Sequence, residues 1–160
     1  MSAIAGHVTS AGMSDTSSLP TVRVGLGIVV REGRILIGRR RKGDSFAGLW
    51  ELPGGKCEAG ESPTDCVRRE LLEEMNIDVR PVRALAAIEH QYPKAWVILY
   101  PFICRHESGE ARALSAAEMR WVRPEELPTY EFPPANRGLI EMLSSAGFID
   151  GAIDLAARSA

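Results

Sequence analysis

The feature that most constrains this chain is Pro53-Gly54-Gly55 followed, across a short loop, by Arg69-Glu70-Leu71-Leu72-Glu73-Glu74. A Pro-Gly-Gly run ends a strand, because proline removes a ladder donor and glycine adopts backbone angles closed to other residues. Ser62-Pro63-Thr64-Asp65 then starts a helix. Ser62 caps it, Pro63 suits the first helical position, and Asp65 favours the positive end of the dipole. The helix is expected to run to about Met75, with Asn76 at the left-handed position where helices commonly end. On it Glu70, Glu73 and Glu74 share one face, an arc of about 100°. Like charges at that spacing cost roughly 0.2–0.5 kcal/mol per pair when exposed and more when partly buried. One reading is a solvated acidic face balanced by Arg68 and Arg69. The other is a face for a hard divalent cation such as magnesium, which takes carboxylate oxygens. The glycine turn favours the second, because backbone without a Cβ approaches a metal or a phosphate closely.

Around this segment the apolar pattern alternates. Val22, Val24, Leu26, Ile28 and Val30 interleave with Arg23, Gly25, Gly27 and Val29, a strand period beginning at Thr21. Glu32-Gly33 reads as a hairpin turn into a second strand, Arg34 to Arg39. A loop follows from Arg40 to Ala47, then a short strand from Leu49 to Leu52. Further strands are expected near Val82–Glu89, Ala95–Arg105 and Arg120–Arg123, with a turn at Glu107–Glu110. A second helix is expected over Gly138–Ala146. This order predicts an α+β fold, a mixed sheet with helices packed against it. The ordered domain is expected to span 21–146. Residues 147–160 read as a tail that extends the second helix or docks on the surface.

Length and composition set limits. The chain has 160 residues, enough for one domain, with 45% hydrophobic and 25% charged residues. A net charge of −2 lacks the basic excess of proteins that live on duplex DNA, so stable DNA binding is not expected. The three cysteines, Cys57, Cys66 and Cys104, lack the paired short spacings of a disulfide framework or zinc site and read as reduced thiols of a cytoplasmic protein. No apolar run is long enough to span a bilayer. Met1–Pro20 is rich in Ser, Ala, Gly and Thr without Lys or Arg, unlike a signal or transit peptide, and is expected to be a flexible tail, with Met13 an alternative start.

With these residues in view, Gly55 to Ile77 resembles the Nudix box: Gly, five residues, Glu, seven residues, then Arg-Glu-Leu-x-Glu-Glu-x-Gly-apolar. Gly55, Glu61, Arg69, Glu70, Leu71, Glu73, Glu74 and Ile77 match. Asn76 replaces the family's glycine at the helix end, where asparagine is the next best residue. The resemblance implies an α/β/α sandwich in which the box forms a loop–helix–loop. It also implies a hydrolase of nucleoside diphosphates linked to another group, using Mg2+ or Mn2+. Glu70, Glu73 and Glu74 would hold the metal with the carbonyl of Gly54, Arg69 would brace the glutamates, and Glu61 would hold the loop.

The flanks resemble the MutT branch, which removes oxidised guanine nucleotides such as 8-oxo-dGTP and releases monophosphate and pyrophosphate. Trp50-Glu51-Leu52-Pro53-Gly54-Gly55-Lys56 and Phe132-Pro133-Pro134-Ala135-Asn136 carry this likeness. It implies that Asn136 reads a purine edge, for which an amide has donors and an acceptor; helix capping is the competing role. Arg40, within Arg39–Lys42, would lie at the nucleotide mouth and, with Lys56, attract phosphate; the competing role is a solvated turn. Leu52 and Tyr92 are candidates for the base pocket, Leu52 equally for the core. Two departures stand out. Tyr92-Pro93 is followed by Lys94-Ala95 instead of an acidic and then a basic residue. The branch's late glutamate aligns with Ser115, leaving Glu118, three residues on, as the nearest candidate. His90 reads as a strand histidine.

Three alternatives remain open at this stage. Ala47-Gly48-Leu49-Trp50-Glu51 also occurs in Nudix hydrolases acting on pyrimidine triphosphates (CTP or dCTP) or on a broad range of nucleotides. A non-catalytic nucleotide-binding module usually loses box glutamates, which are all kept here. The recognition domain of a DNA glycosylase shares the fold, but no glycosylase domain accompanies it here. Monomer and homodimer are both open.

Overall fold

The computed structural model describes residues 19–158. The expected tail therefore lies, but for its last two residues, outside the described residues, as does Met13.

Among them, eight strands form one mixed sheet: β1 (Thr21–Arg31), β2 (Arg34–Arg39), β3 (Trp50–Glu51), β4 (Gly54–Lys56), β5 (Asp78–Ala84), β6 (Ile88–Tyr92), β7 (Ala95–Ser108) and β8 (Glu118–Val122). The helices are α1 (Pro63–Met75), α2 (Arg137–Ser144) and α3 (Phe148–Arg158), with 3-10 turns at Pro124–Thr129 and Pro134–Asn136. The order β3-β2-β1-β7-β5 forms the sheet's spine, with β4 also on β1, β6 on β7 and β8 on β2. The β1–β7 pair is parallel and the other pairs are antiparallel. Glu32 and Gly33 both take positive φ, 50° and 71°, as a type I′ hairpin requires.

Two apolar layers flank the sheet. On one face Val67, Leu71 and Met75 of α1 meet Val29, Leu36, Ile77, Val79 and Cys104. On the other, Leu139, Ile140 and Leu143 of α2 and Ile149 and Ala152 of α3 meet Leu26, Ile28, Ile35, Ile37 and Trp50. This is the three-layer arrangement expected from the sequence. Each fully buried leucine or valine contributes roughly 1.5–3 kcal/mol. The alternation of β1 now has a spatial meaning. Leu26 and Ile28 feed one core, while Gly25 and Gly27 let α1 close in: a Cβ at Gly25 would lie 2.9 Å from Val67 Cγ2, and one at Gly27 2.9 Å from Leu71 Cδ2.

Several boundaries differ from expectation. The strand placed at Val82–Glu89 is two strands, Asp78–Ala84 and Ile88–Tyr92. The cause lies in β7, which is long enough to pair with both. Its Ala95–Leu99 portion pairs with β6 and its Phe102–Ser108 portion with β5, and Pro101, which has no N–H, falls between them. The final segment does not extend the second helix. Ser145 is extended (φ −65°, ψ 138°) and Gly147 has φ 79°, which turns the chain before α3 begins. β4 was not expected, because Pro-Gly-Gly reads as a stop. Gly54 and Gly55 nevertheless pair with Leu26 and Gly25 of β1.

Candidate active site

The loop between β4 and α1 and the first three turns of α1 build the site. Ser62 caps α1, its hydroxyl accepting from the Asp65 amide at 3.1 Å. Asn76 closes the helix at φ 58°, its amide donating to the carbonyls of Leu71 and Leu72. These caps set the register that carries Glu70, Glu73 and Glu74 toward the glycine turn.

Arg69 organises the box. Its Nε donates to Glu61 Oε2 at 2.7 Å and its Nη2 to Glu61 Oε1 at 2.9 Å, a two-point fork. Nη1 reaches Glu70 Oε1 at 2.9 Å and Glu73 Oε2 at 3.2 Å, and Nη2 also donates to the Lys56 carbonyl at 3.1 Å. One guanidinium thus ties both ends of the loop to two glutamates. The Arg69 bond, then the Glu58 backbone amide, hold Glu61 down to about 2.

Gly55 makes room for Glu70. A Cβ at Gly55 would lie 2.4 Å from the Glu70 carboxyl carbon. Glu74 lies beside the same turn, accepting from the Gly54 amide at 3.4 Å. Burial, then the charges of Glu51 and Glu70, push Glu74 up to about 8. Burial also raises Glu70, against the pull of Arg69. Glu73 is the most exposed of the three, with 59% of its side chain open to solvent.

Glu51 was not singled out from the sequence, yet it lies close enough to Glu74 for its charge to raise that carboxyl. Trp50 is buried in the α2-side core, so strand alternation turns Glu51 to the other face. Its carboxylate pairs with Arg40, and burial raises it against that attraction. The available signal was an acid between the apolar residues Trp50 and Leu52, directly before the glycine turn.

The donor set fits a hard divalent cation. Glu70 and Glu74 are carboxylates that burial and neighbouring carboxylates hold above their ordinary range, the situation that added positive charge relieves. As they stand, no three acidic, His or Cys side chains among the described residues enclose an ion position. Arg69 occupies Glu70 and Glu73, and Glu74 faces the Gly54 amide. Arg69 bonds one oxygen of each of Glu70 and Glu73, so the second oxygen of each carboxylate is open to a cation.

Glu118 starts β8 and turns elsewhere. It accepts from Arg120 Nε at 2.7 Å and lies 3.8 Å from Arg39, while Arg120 stacks 5.1 Å over Trp50. Its register opposite Arg39 places it beside the two arginines.

The basic run also separates. Arg39 donates to the Gly48 carbonyl and Arg41 to the Leu114 carbonyl, at 3.1 and 2.9 Å, and only Arg40 turns to the carboxylates. Lys56 is exposed and, with Arg23 and Cys57, lines a cavity of about 290 Å³ beside the box loop. Leu52 is 1% exposed and packs within the α2-side core.

The Tyr92 hydroxyl accepts from the Ala135 amide at 3.2 Å, next to Asn136. Asn136 is the one buried polar residue among the described residues, and its side chain makes no capping bond to α2. That observation weakens the capping role and leaves the amide available to a ligand. His90 packs on Tyr92 at 4.5 Å between ring centroids. A separate cavity of about 480 Å³, bordered by Glu32, Arg123 and Ser144, lies away from these residues.

Comparison with known proteins agrees with this geometry. Residues 25–142 match the model of the NUDIX domain. A Haemophilus influenzae 8-oxo-dGTP diphosphatase is 33% identical over 123 residues, 76% of this chain and 90% of that protein. An Escherichia coli CTP pyrophosphohydrolase is 31% identical over 120 residues, 75% of this chain and 89% of that protein. The crystal structure of a MutT protein from Methanosarcina mazei Go1 superposes with a TM-score of 0.71 at 26% identity, covering 79% of this chain and 94% of that one.

Proposed function

Because the chain belongs to the NUDIX family and is a Nudix hydrolase, we propose that it is a Mg2+-dependent nucleoside triphosphate pyrophosphohydrolase of the 8-oxo-dGTP diphosphatase type. The observation that carries the reading is the cluster of carboxylates packed against the glycine turn and braced by Arg69. Glu51, Glu70 and Glu74 gather around the Gly54-Gly55 turn, and Asn136 lies beside Tyr92.

In this reading Glu70, Glu73 and Glu74, with the carbonyl of Gly54, hold the divalent cation. The chemistry such a cation would supply there is neutralisation of phosphate oxygens and a lowered pKa for the attacking water. The residues do the rest. Arg69 fixes the loop and braces Glu70 and Glu73. Arg40, held by Glu51, supplies positive charge toward the phosphates, and Asn136 hydrogen-bonds the purine edge. One water adds across the phosphoanhydride, giving nucleoside monophosphate and pyrophosphate.

A second reading, a preference for pyrimidine triphosphates, is supported by the 31% identity to the CTP pyrophosphohydrolase. The test is turnover with Mg2+ on 8-oxo-dGTP, dGTP, dATP, dCTP, CTP and ADP-ribose, with products resolved by ion exchange. Leading kcat/KM for 8-oxo-dGTP with pyrophosphate release supports the first reading. A leading pyrimidine nucleotide supports the second, and no turnover on any member overturns both. No helix among the described residues is long and apolar enough to cross a membrane.

A further inference from the structure

The loop between β2 and β3 contains a residue that folding does not account for. Phe46 is 40% exposed and belongs to neither apolar core. It holds φ 58°, a left-handed conformation uncommon for an aromatic residue. Gly43 and Gly48 flank it, also at positive φ, 92° and 81°. The loop is nonetheless fastened. The Arg40 amide donates to the Leu49 carbonyl at 2.9 Å, the Gly48 amide to the Arg40 carbonyl at 3.1 Å and the Leu49 amide to the Phe46 carbonyl at 3.1 Å. Arg40 Nε donates to the Ser45 carbonyl. An anchored loop thus presents an aromatic ring toward solvent at a strained position, which points to a use outside the core.

The ring packs against Tyr92. Its centroid lies 5.3 Å from that of Tyr92, with the planes tilted by 54°. The Tyr92 hydroxyl binds the Ala135 amide, one residue before Asn136. Phe46, Tyr92 and Asn136 therefore form a continuous run from an exposed aromatic face to a hydrogen-bonding amide. A flat heteroaromatic ring meets both requirements: it stacks through its face while its edge bonds the amide.

We propose that Phe46 is a substrate-binding residue that stacks on the nucleobase, with Tyr92 as its backing ring. This rests on the reading that the base lies between Tyr92 and Asn136. Stacking uses the face of the base and is tolerant of its identity. Phe46 thus contributes to the binding of any nucleotide, and more for the larger purine, whereas Asn136 distinguishes edges.

The test uses the full chain and the variants Phe46→Ala and Phe46→Tyr, with kcat and KM measured for 8-oxo-dGTP, dGTP and CTP. Product binding is measured separately by calorimetry with dGMP and CMP, and folding is followed by thermal melting. Expected for Phe46→Ala are a KM raised about tenfold for the preferred nucleotide, weaker monophosphate binding in proportion, and kcat within about twofold. Phe46→Tyr, which keeps the ring, restores KM to within about twofold. Unchanged KM and monophosphate affinity in Phe46→Ala overturn the proposal, as does a loss confined to kcat. The two readings separate cleanly. If CTP is the preferred substrate and Phe46→Ala raises its KM, the purine reading fails and the stacking role stands. If 8-oxo-dGTP is preferred and Phe46→Ala leaves its KM unchanged, the stacking role alone fails.

Discussion

Gly55 lies directly beneath the carboxyl of Glu70: a Cβ on Gly55 would sit 2.4 Å from Glu70 Cδ and 2.5 and 2.7 Å from its oxygens. The box glycine is thus a space reserved for a carboxylate, and Gly55→Ala tests that. The methyl group must displace Glu70, and misplacing a reacting group by about 1 Å can cost about 100-fold in rate. A fall of that order in kcat/KM is expected, with the fold retained by circular dichroism. A fully active Gly55→Ala enzyme would show that Glu70 does not act from this position.

Removing charge from the other two glutamates should be as damaging. Glu73→Gln and Glu74→Gln keep side-chain size but lose a hard anionic ligand, and metal charge stabilisation is worth several kcal/mol. Each variant should lose about 100-fold or more in kcat while melting near the parent temperature. If both retained full turnover, the assignment of the metal to this helix face would be wrong.

The Arg69–Glu61 fork predicts acid sensitivity. Glu61 is held down to about 2 in the folded protein, against an ordinary 4.5. Below its ordinary value the unfolded chain takes up a proton that the folded chain refuses, so stability falls with falling pH. The contribution is present above about 4.5 and is lost as pH drops toward about 2. Glu61→Gln should flatten this limb of a plot of melting temperature against pH, and an unchanged limb would remove Glu61 as its source.

Glu74 predicts the opposite slope for the protein stripped of metal. Its carboxyl is pushed up to about 8 from an ordinary 4.5. Between those values the folded chain keeps a proton that the unfolded chain has lost, so stability declines as pH rises and levels off above about 8. Melting in EDTA should show this decline, and Glu74→Gln should weaken it. Mg2+ or Mn2+ should raise the melting temperature most toward the alkaline end, where no proton must be displaced. A metal-induced shift independent of pH would count against Glu74 as a ligand.

Close approach of α1 to the sheet can be tested away from the chemistry. A Cβ at Gly25 would meet Val67 Cγ2 at 2.9 Å, Cys66 Sγ at 3.1 Å and the Pro63 carbonyl at 3.2 Å. Backbone cannot rotate aside as a side chain does, so Gly25→Ala should destabilise by about 1–3 kcal/mol in denaturant unfolding. A neutral result would mean that α1 shifts as a body, and KM and kcat would then change instead.

Legibility from the sequence followed the range of the interactions involved. Ser62, Pro63, Asn76 and the Arg69–Glu74 register were readable because capping and helical periodicity act within a turn or two of chain. The Glu32-Gly33 hairpin was readable for the same reason. Asn136 was singled out, but its competing role as a cap weakened only when the structure showed no capping bond.

What the chain determined by itself was the box: a capped helix with three acids on one face and, before it, a turn with no side chain to obstruct them. What only the tertiary structure decided was which distant residues complete it. Glu51 lies near Glu74 because β3 pairs with β2 in a register that buries Trp50. Glu118 lies beside two arginines because β8 sets it opposite Arg39. Pro101 divides the partners of β7, which no pattern within residues 82–89 records. Alternation along a strand specifies its two faces, but strand pairing selects the neighbours, and that choice is made by packing the whole sheet between its helices.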